Sequence, residues 1–241
     1  MEIKVFSSYK ELSSACAKVI IDQVRNFPRS VLGLATGSSP LGLYQELIRD
    51  HDVNHTSYKE VKTFNLDEYV GLDKNHPQSY YTFMMENLFN HIDIDLSNVH
   101  IPNGCAFDLE QECANYNQLL EKYHIDIQVL GIGANGHIGF NEPGTPFDST
   151  MHLVKLDEKT RRDNARFFSS IAEVPEYAIT MGIKNILSAK KILLIATGKN
   201  KSEAIFHLVK GTPTPEWPAT ALQYHDDVVL FLDEEAASLL K

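Results

Sequence analysis

The sequence predicts an α/β protein with a doubly wound, mostly parallel sheet of about seven strands and helices on both faces. Apolar runs alternate with helical periodicity along nearly all of the 241 residues. Most of these runs are apolar on both sides, as expected of parallel strands that crossover helices cover from both faces. With 43% hydrophobic and 22% charged residues, the composition is that of a globular chain with a sizeable core. We therefore expect residues 1–241 to form a single domain.

The elements can be predicted in order along the chain. Seven apolar runs are predicted strands: Ile3–Phe6, Val31–Ala35, Val61–Leu66, Ile125–Leu130, Tyr177–Met181, Ile192–Ala196 and Val228–Leu232. Five helices lie between them: one after Ser8, then Leu41–Arg49, Ser79–Phe89, Leu109–Tyr123 and Lys201–Val209. Ser8 and Glu11 have capping-box spacing. Gly139–Ser149 and Gly211–Pro218 are predicted loops because of their glycines and prolines, and the first is a candidate lid.

Charge and cysteine content limit the classes of partner. The net charge of −10 argues against nucleic acid or an anionic membrane as the main partner. No apolar run approaches the roughly 18 residues of a membrane span, and no secretory signal opens the chain. Cys16, Cys105 and Cys113 fit neither a disulfide framework nor a metal knuckle, so we expect packed, reduced thiols. A cytoplasmic protein is predicted.

Polar residues follow several predicted strands at their carboxyl ends, where open α/β sheets bind ligands. The segment Thr36-Gly37-Ser38-Ser39-Pro40 offers amides before a helix and is predicted to bind phosphate, although a plain strand-to-helix turn has similar residues. The absence of a following GK[ST] excludes a P-loop. Lys199 and Lys201 begin another helix, where cations are unfavourable unless an anion lies between them. We expect the two loops to share or flank a phosphate; solvated surface lysines are the alternative.

Asp67 and Glu68 are adjacent carboxylates directly after the Val61–Leu66 strand. Successive strand residues point to opposite sides, so only one of the pair can face a given cleft. That carboxylate is a candidate general base, and hydrogen bonding to a loop is the alternative role. Asp73 lies in a polar loop and is predicted to be a turn residue.

The Gly131–Pro143 segment begins with the G-x-G-x-x-G pattern of dinucleotide sites. That pattern requires a helix after its third glycine, and the glycines and prolines that follow exclude one here. The segment instead contains His137 and Glu142, spaced so that a flexible turn can bring the imidazole near the carboxylate. A packed or capping histidine is the alternative. The other histidines lack ligand spacing, so no metal site is predicted.

Five longer segments carry a resemblance that covers nearly the whole chain. They are Phe64–Leu72, His76–Tyr81, Gly136–Pro143, Asn164–Phe168 and Gly198–Lys201. These segments resemble the glucosamine-6-phosphate deaminase family, also called glucosamine-6-phosphate isomerases. The related 6-phosphogluconolactonases share the fold and a Gly-His motif, but they are not expected to carry the Asn-x-Asp-Glu-Tyr-Val-Gly segment found at Asn65–Gly71.

The resemblance implies that glucosamine 6-phosphate and water are converted to fructose 6-phosphate and ammonia without a cofactor. Asp67 resembles the base that transfers a proton from C2 to C1, and His137 resembles the group that opens the sugar ring, with Glu142 and Asn135 holding it. Glu68 is left with a structural role. The implied phosphate-binding residues are Thr36, Gly37, Ser38, Ser39, Arg166 and Lys201.

Two departures from the family pattern affect the expectations. Asn135 stands where many members have aspartate, and since an amide does not titrate we expect it to act by hydrogen bonding. The longer members, hexamers regulated by N-acetylglucosamine 6-phosphate, have basic residues where His152 and Val154 align. We therefore expect an unregulated monomer or small homo-oligomer. A 6-phosphogluconolactonase-like hydrolase and a non-catalytic phosphosugar-binding regulator are the alternative functions.

Overall fold

A computed structural model describes residues 1–241, apart from the side chains of Lys159, Asp163 and Phe167. The strands are β1 (Glu2–Phe6), β2 (Val31–Leu34), β3 (Lys62–Asn65), β4 (Asp67–Tyr69), β5 (Val99–His100), β6 (Ile127–Leu130), β7 (His152–Lys155), β8 (Tyr177–Thr180), β9 (Lys191–Ala196) and β10 (Val228–Asp233). The α-helices are α1 (Tyr9–Asn26), α2 (Leu41–Asn54), α3 (Tyr80–Asn87), α4 (Leu109–Lys122), α5 (Glu158–Asn164), α6 (Ile183–Leu187) and α7 (Ser202–Lys210).

Seven strands form the main sheet, in the spatial order β1-β10-β9-β6-β2-β3-β5. Every neighbouring pair in this sheet is parallel. The predicted α/β class and the predicted number of strands are therefore confirmed. Because the strands are parallel, their carboxyl ends meet at one edge, and the loops that leave this edge can form a common site.

The membership of the main sheet differs from the prediction at one strand. The predicted run Tyr177–Met181 does form a strand, but it belongs to a separate three-stranded sheet, in the order β4-β8-β7, where it pairs antiparallel with both neighbours. Its residues Ala178, Ile179 and Thr180 are all buried, so its pattern resembles that of a parallel strand. The seventh strand of the main sheet is β5, whose two residues are too few to show a periodic pattern.

Alternate residues of the central strands fill two core layers, one on each face of the main sheet. In β9, Leu193 and Ile195 belong to the layer that contains α1 and α2. Ile192 and Leu194 belong to the layer that contains α4, α6 and α7. This period of two confirms the prediction of helices on both faces.

The first helix begins after the predicted cap Ser8, with one of the two hydrogen bonds of a capping box formed. Ser8 accepts a hydrogen bond from the Glu11 amide at 3.2 Å and so caps α1, while the Glu11 carboxylate accepts one from the Ser7 hydroxyl at 2.6 Å. All three cysteines are free; Cys16 and Cys113 are buried, whereas Cys105 is exposed, contrary to the expectation of packed thiols. Within the described part of the chain, no helix has the length and apolar character needed to cross a membrane.

Candidate active site

A cleft of about 180 Å³ lies at the carboxyl edge of the main sheet. The described residues that line it include Thr36–Ser39, Asp67, Tyr80, Gly131–Ala134, His137, Thr160, Asn164, Arg166 and Lys201. The structure thus places most of the predicted site residues around one cavity. The remaining two, Asn135 and Glu142, lie against His137.

The Thr36–Ser39 loop connects β2 to α2 and is tied to α1 by Tyr9. The Tyr9 hydroxyl lies 3.1 Å from the carbonyl oxygen of Ser38 and 2.9 Å from that of Ser39, so it can donate to either. Gly37 has φ +86°, a left-handed conformation that favours glycine. These contacts fix the loop from its carbonyl side next to the first turn of α2, where the helix dipole favours an anion.

The loop after β9 differs from the Thr36–Ser39 loop despite a similar sequence. The Gly198 amide donates to Asp233 Oδ2 at 2.8 Å, and the Lys199 amide donates to Glu235 Oε2 at 3.3 Å. Carboxylates of the chain itself therefore take up these two amides, and the sequence did not predict these contacts. Lys201 lines the cleft, whereas Lys199 is exposed.

Asp67 and Glu68 face different surroundings, as the alternation of strand residues predicts. Asp67 is 6% exposed and lines the cleft. Burial, and to a lesser extent the charge of Glu68, raises the pKa of Asp67 well above its usual range. A carboxylate with a raised pKa is a stronger base than an exposed one once it is ionised.

Glu68 is a buried anchor for α3. Its carboxylate accepts hydrogen bonds from the amides of Tyr69, Tyr80 and Tyr81 at 2.9, 3.0 and 3.0 Å. Burial raises the pKa of Glu68 to about 7, and the three amides limit the rise. Because these bonds hold the first turn of α3, Glu68 also holds Tyr80 at the wall of the cleft.

His137 and Glu142 form a pair in the loop that follows β6. The imidazole Nδ1 lies 3.6 Å from Glu142 Oε2. The same oxygen accepts a hydrogen bond from Asn135 Nδ2 at 3.0 Å, which agrees with the hydrogen-bonding role expected of this amide. Burial favours the neutral form of Glu142, but its contacts with His137, Thr160 and Asn135 outweigh this effect and lower its pKa.

Two glycines permit the turn that carries His137. A Cβ atom on Gly133 would lie 2.3 Å from His137 Nδ1, so a side chain there would displace the imidazole. Gly136 has φ +81°, and a Cβ on it would lie 2.7 Å from the Trp217 ring. The Gly136 carbonyl accepts a hydrogen bond from the Ala219 amide at 2.8 Å. The second predicted loop, Gly211–Pro218, therefore packs beneath the turn and supports it.

Three polar side chains that line the cleft were not predicted from the sequence: Tyr80, Thr160 and Asn164. Asn164 donates to the Tyr69 hydroxyl at 2.9 Å, and Thr160 donates its hydroxyl hydrogen to Glu142 Oε1. Tyr80 and Asn164 lie inside segments that carry the family resemblance, which was a usable signal. Thr160 lies in a polar helix with no motif. Among the described residues, no group of three or more His, Cys, Asp or Glu is arranged to hold a metal ion.

A carboxylate base and a histidine that share a cleft with two cations are typical of an acid–base enzyme acting on a small anionic substrate. Residues 7–231 match the family described as glucosamine-6-phosphate isomerases/6-phosphogluconolactonase. The chain belongs to this family, and its full-length similarity is to the glucosamine-6-phosphate deaminases within it.

Relatives that match this chain along its length at 50% identity or more include several glucosamine-6-phosphate deaminases. The chain is 55% identical to the glucosamine-6-phosphate deaminase of Clostridium novyi (strain NT), covering 100% of both sequences. It is 52% identical to that of Bacillus pumilus (strain SAFR-032), covering 99% of this chain and 100% of the relative. The solved structure of a monomeric glucosamine-6-phosphate deaminase matches with a TM-score of 0.98 at 50% identity, covering 99% of this chain and 100% of the other. A 6-phosphogluconolactonase from Trypanosoma brucei, with a TM-score of 0.80, 20% identity and coverage of 100% and 98%, shares the fold.

Proposed function

We propose that the cleft carries out the deaminase reaction, in which glucosamine 6-phosphate and water give fructose 6-phosphate and ammonia. The observation that carries this proposal is that Asp67, His137, Arg166 and Lys201 line the same cavity. The carboxylate and the imidazole can move protons, while the two cations neutralise a phosphate. The chain accordingly acts in amino-sugar metabolism.

Ring opening is assigned to His137. Since its Nδ1 faces Glu142, its Nε2 is the nitrogen available to the sugar. The neutral imidazole takes the proton of the anomeric hydroxyl and returns a proton to the ring oxygen, so that the ring opens to an aldehyde. The Glu142 carboxylate stabilises the imidazolium that forms between these two transfers, and Asn135 keeps the carboxylate in place.

Isomerisation is assigned to Asp67. The carboxylate takes the proton from C2, while O1 of the aldehyde gains a proton and the ammonium group gives one up, so that a C1–C2 double bond forms. Asp67 then delivers a proton to C1, and the double bond moves to C2 and the nitrogen. Water adds to the resulting imine, and ammonia leaves. A positively charged amino group of the substrate favours the ionised form of Asp67, which compensates for the effect of burial on its pKa.

Phosphate binding is assigned to Arg166, Lys201 and the Thr36–Ser39 loop. The phosphate is unchanged along the reaction, so its binding energy serves to position C1 and C2 against Asp67 and His137. This remote anchor positions a sugar whose other groups, apart from the amino group at C2, are uncharged hydroxyls.

A coupled ammonia assay tests the proposed function. Purified protein given glucosamine 6-phosphate should release ammonia and fructose 6-phosphate in equal amounts. Hydrolysis of 6-phosphogluconolactone above background, with no ammonia from the amino sugar, would instead identify a lactonase. Saturable sugar-phosphate binding without any product would identify a regulator. Either result would contradict the proposal.

We also propose that residues 1–241 act as a single domain, in a monomer or small homo-oligomer, in the cytoplasm. In support, β1 and β10, which come from the two ends of the chain, are paired neighbours in one sheet. The three free cysteines fit a reducing compartment, and the 50% identical solved relative is monomeric. Light scattering should give the mass of one chain or a few; a hexamer would contradict this part.

A further inference from the structure

We propose that Thr160 is a positioning residue that couples the phosphate-binding segment, residues 158–167 with Arg166, to the His137–Glu142 pair. The inference rests on the proposed function and concerns how phosphate binding is linked to ring opening. Thr160 lies in α5, is 4% exposed, and donates its hydroxyl hydrogen to Glu142 Oε1. Glu142, in turn, is the carboxylate beside the imidazole.

The two oxygens of Glu142 are held from different parts of the chain. Oε2 accepts a hydrogen bond from Asn135 Nδ2 at 3.0 Å and lies 3.6 Å from His137 Nδ1. Oε1 accepts the hydroxyl of Thr160. A carboxylate is planar, so a rotation that breaks one contact also moves the other oxygen. Thr160 therefore helps to set the plane in which Oε2 faces the imidazole.

Thr160 also belongs to the segment that carries Arg166. The last residue of α5 is followed directly by the short 3₁₀ helix Ala165–Phe167, which contains Arg166. Asn164, which lies between Thr160 and Arg166 in the sequence, donates to the Tyr69 hydroxyl at 2.9 Å. A phosphate bound by Arg166 would favour the arrangement in which Asn164 contacts Tyr69 and Thr160 contacts Glu142. In this arrangement, Thr160 orients the Glu142 carboxylate. Binding of the phosphate thereby favours the Glu142 orientation in which His137 can open the sugar ring.

Replacement of the hydroxyl tests this role. Thr160→Val keeps the shape of the side chain and removes the donor, so kcat should fall about 10-fold while KM changes by less than about threefold, because a hydrogen bond to a charged group is lost away from the phosphate. Thr160→Ser should restore most of the activity. Thr56→Val is a matched control: Thr56 is 6% exposed, its hydroxyl accepts from Arg25 Nε, and kcat should be unchanged.

A double-mutant cycle with Glu142→Gln separates positioning from packing. If Thr160 acts through Glu142, Thr160→Val should have little further effect on kcat in the Glu142→Gln background. Equal losses of kcat in both backgrounds, or a Thr160→Ser variant as impaired as Thr160→Val, would overturn the inference and leave the deaminase proposal intact. Absence of ammonia release by the unmodified chain would overturn the proposed function, and this inference with it.

Discussion

Asp67 and Glu68 are neighbours with the same ionisable group and nearly the same burial, 6% and 3% exposed, yet their surroundings differ. The Asp67 carboxylate lines the cleft together with His137. The Glu68 carboxylate accepts three backbone amides at the start of α3. The comparison shows that burial alone does not identify a catalytic carboxylate, since it raises the pKa of both residues.

The two carboxylates differ in their hydrogen-bond partners and in their access to the cleft. Three amide hydrogen bonds hold the Glu68 carboxylate at the start of α3, and Glu68 does not line the cleft, so it has no access to a substrate there. Asp67 combines a raised pKa with access to the cavity, which is the combination that a general base requires. A carboxylate that faces the cleft and one that holds a helix are thus adjacent in the sequence and differ through the alternation of a strand.

The largest effect is expected from Asp67→Asn. The amide has nearly the same shape but cannot take the C2 proton, so kcat should fall by about 10²- to 10⁴-fold with little change in KM. Asp73→Asn is the matched control, because Asp73 accepts a hydrogen bond from the Asn75 amide in a turn, as the sequence predicts, and its loss should leave kcat unchanged. Steady-state ammonia release measures both. A fully active Asp67→Asn variant would abolish the contrast with Glu68.

A smaller effect, on KM rather than kcat, is expected from a variant of the phosphate-binding residue Lys201. Lys201→Met should raise KM about 10-fold and leave kcat within about threefold, because a phosphate contact is the same in the ground and transition states. Lys199→Met, in the same loop but exposed, should change neither constant. If Lys201→Met raised the KM for glucosamine, which lacks the phosphate, by the same factor, the assignment of Lys201 to phosphate binding would be contradicted.

The smallest effect on turnover is expected from Glu68→Gln, whose main effect should be on stability. Folding raises the pKa of Glu68 from 4.5 to about 7, so the folded protein holds this proton more tightly than the unfolded chain does. The free energy of unfolding should therefore fall as pH rises from 4.5 to about 7, by on the order of 3 kcal/mol from this group. Urea unfolding across this range should show a flatter pH dependence for Glu68→Gln. A steeper dependence in the variant would contradict the anchor role.

The fold was predictable where a strand forms an apolar run, but not at β7 (His152–Lys155), which is as long as β2 and has polar residues at both ends. The central predicted strands β9 and β10 alternate between two core layers, as Leu193 and Leu194 illustrate. The strand Val99–His100 was missed because two residues have no period, and Tyr177–Thr180 was assigned to the main sheet because a strand buried on both sides has the same pattern in either sheet.

The site was predictable where residues follow a strand or lie in a family segment. Asp67 and His137 could be singled out in this way, and the structure places both on the cleft. Thr160 could not, because its contact with Glu142 is set by the docking of α5 rather than by local sequence. The hydrogen bonds of the amides in the loop after β9 could not be predicted, because their partners, Asp233 and Glu235, lie more than 30 residues further along the chain.

The most direct test of Asp67 as the base follows the C2 hydrogen itself. Glucosamine 6-phosphate is incubated in D₂O with the unmodified chain or with Asp67→Asn, and NMR measures the hydrogen at C2 of the substrate and at C1 of the product. We predict that the unmodified chain removes the C2 hydrogen, and that Asp67→Asn leaves it in place while still binding the sugar phosphate by calorimetry. Loss of the C2 hydrogen at an unchanged rate in Asp67→Asn would contradict the mechanism.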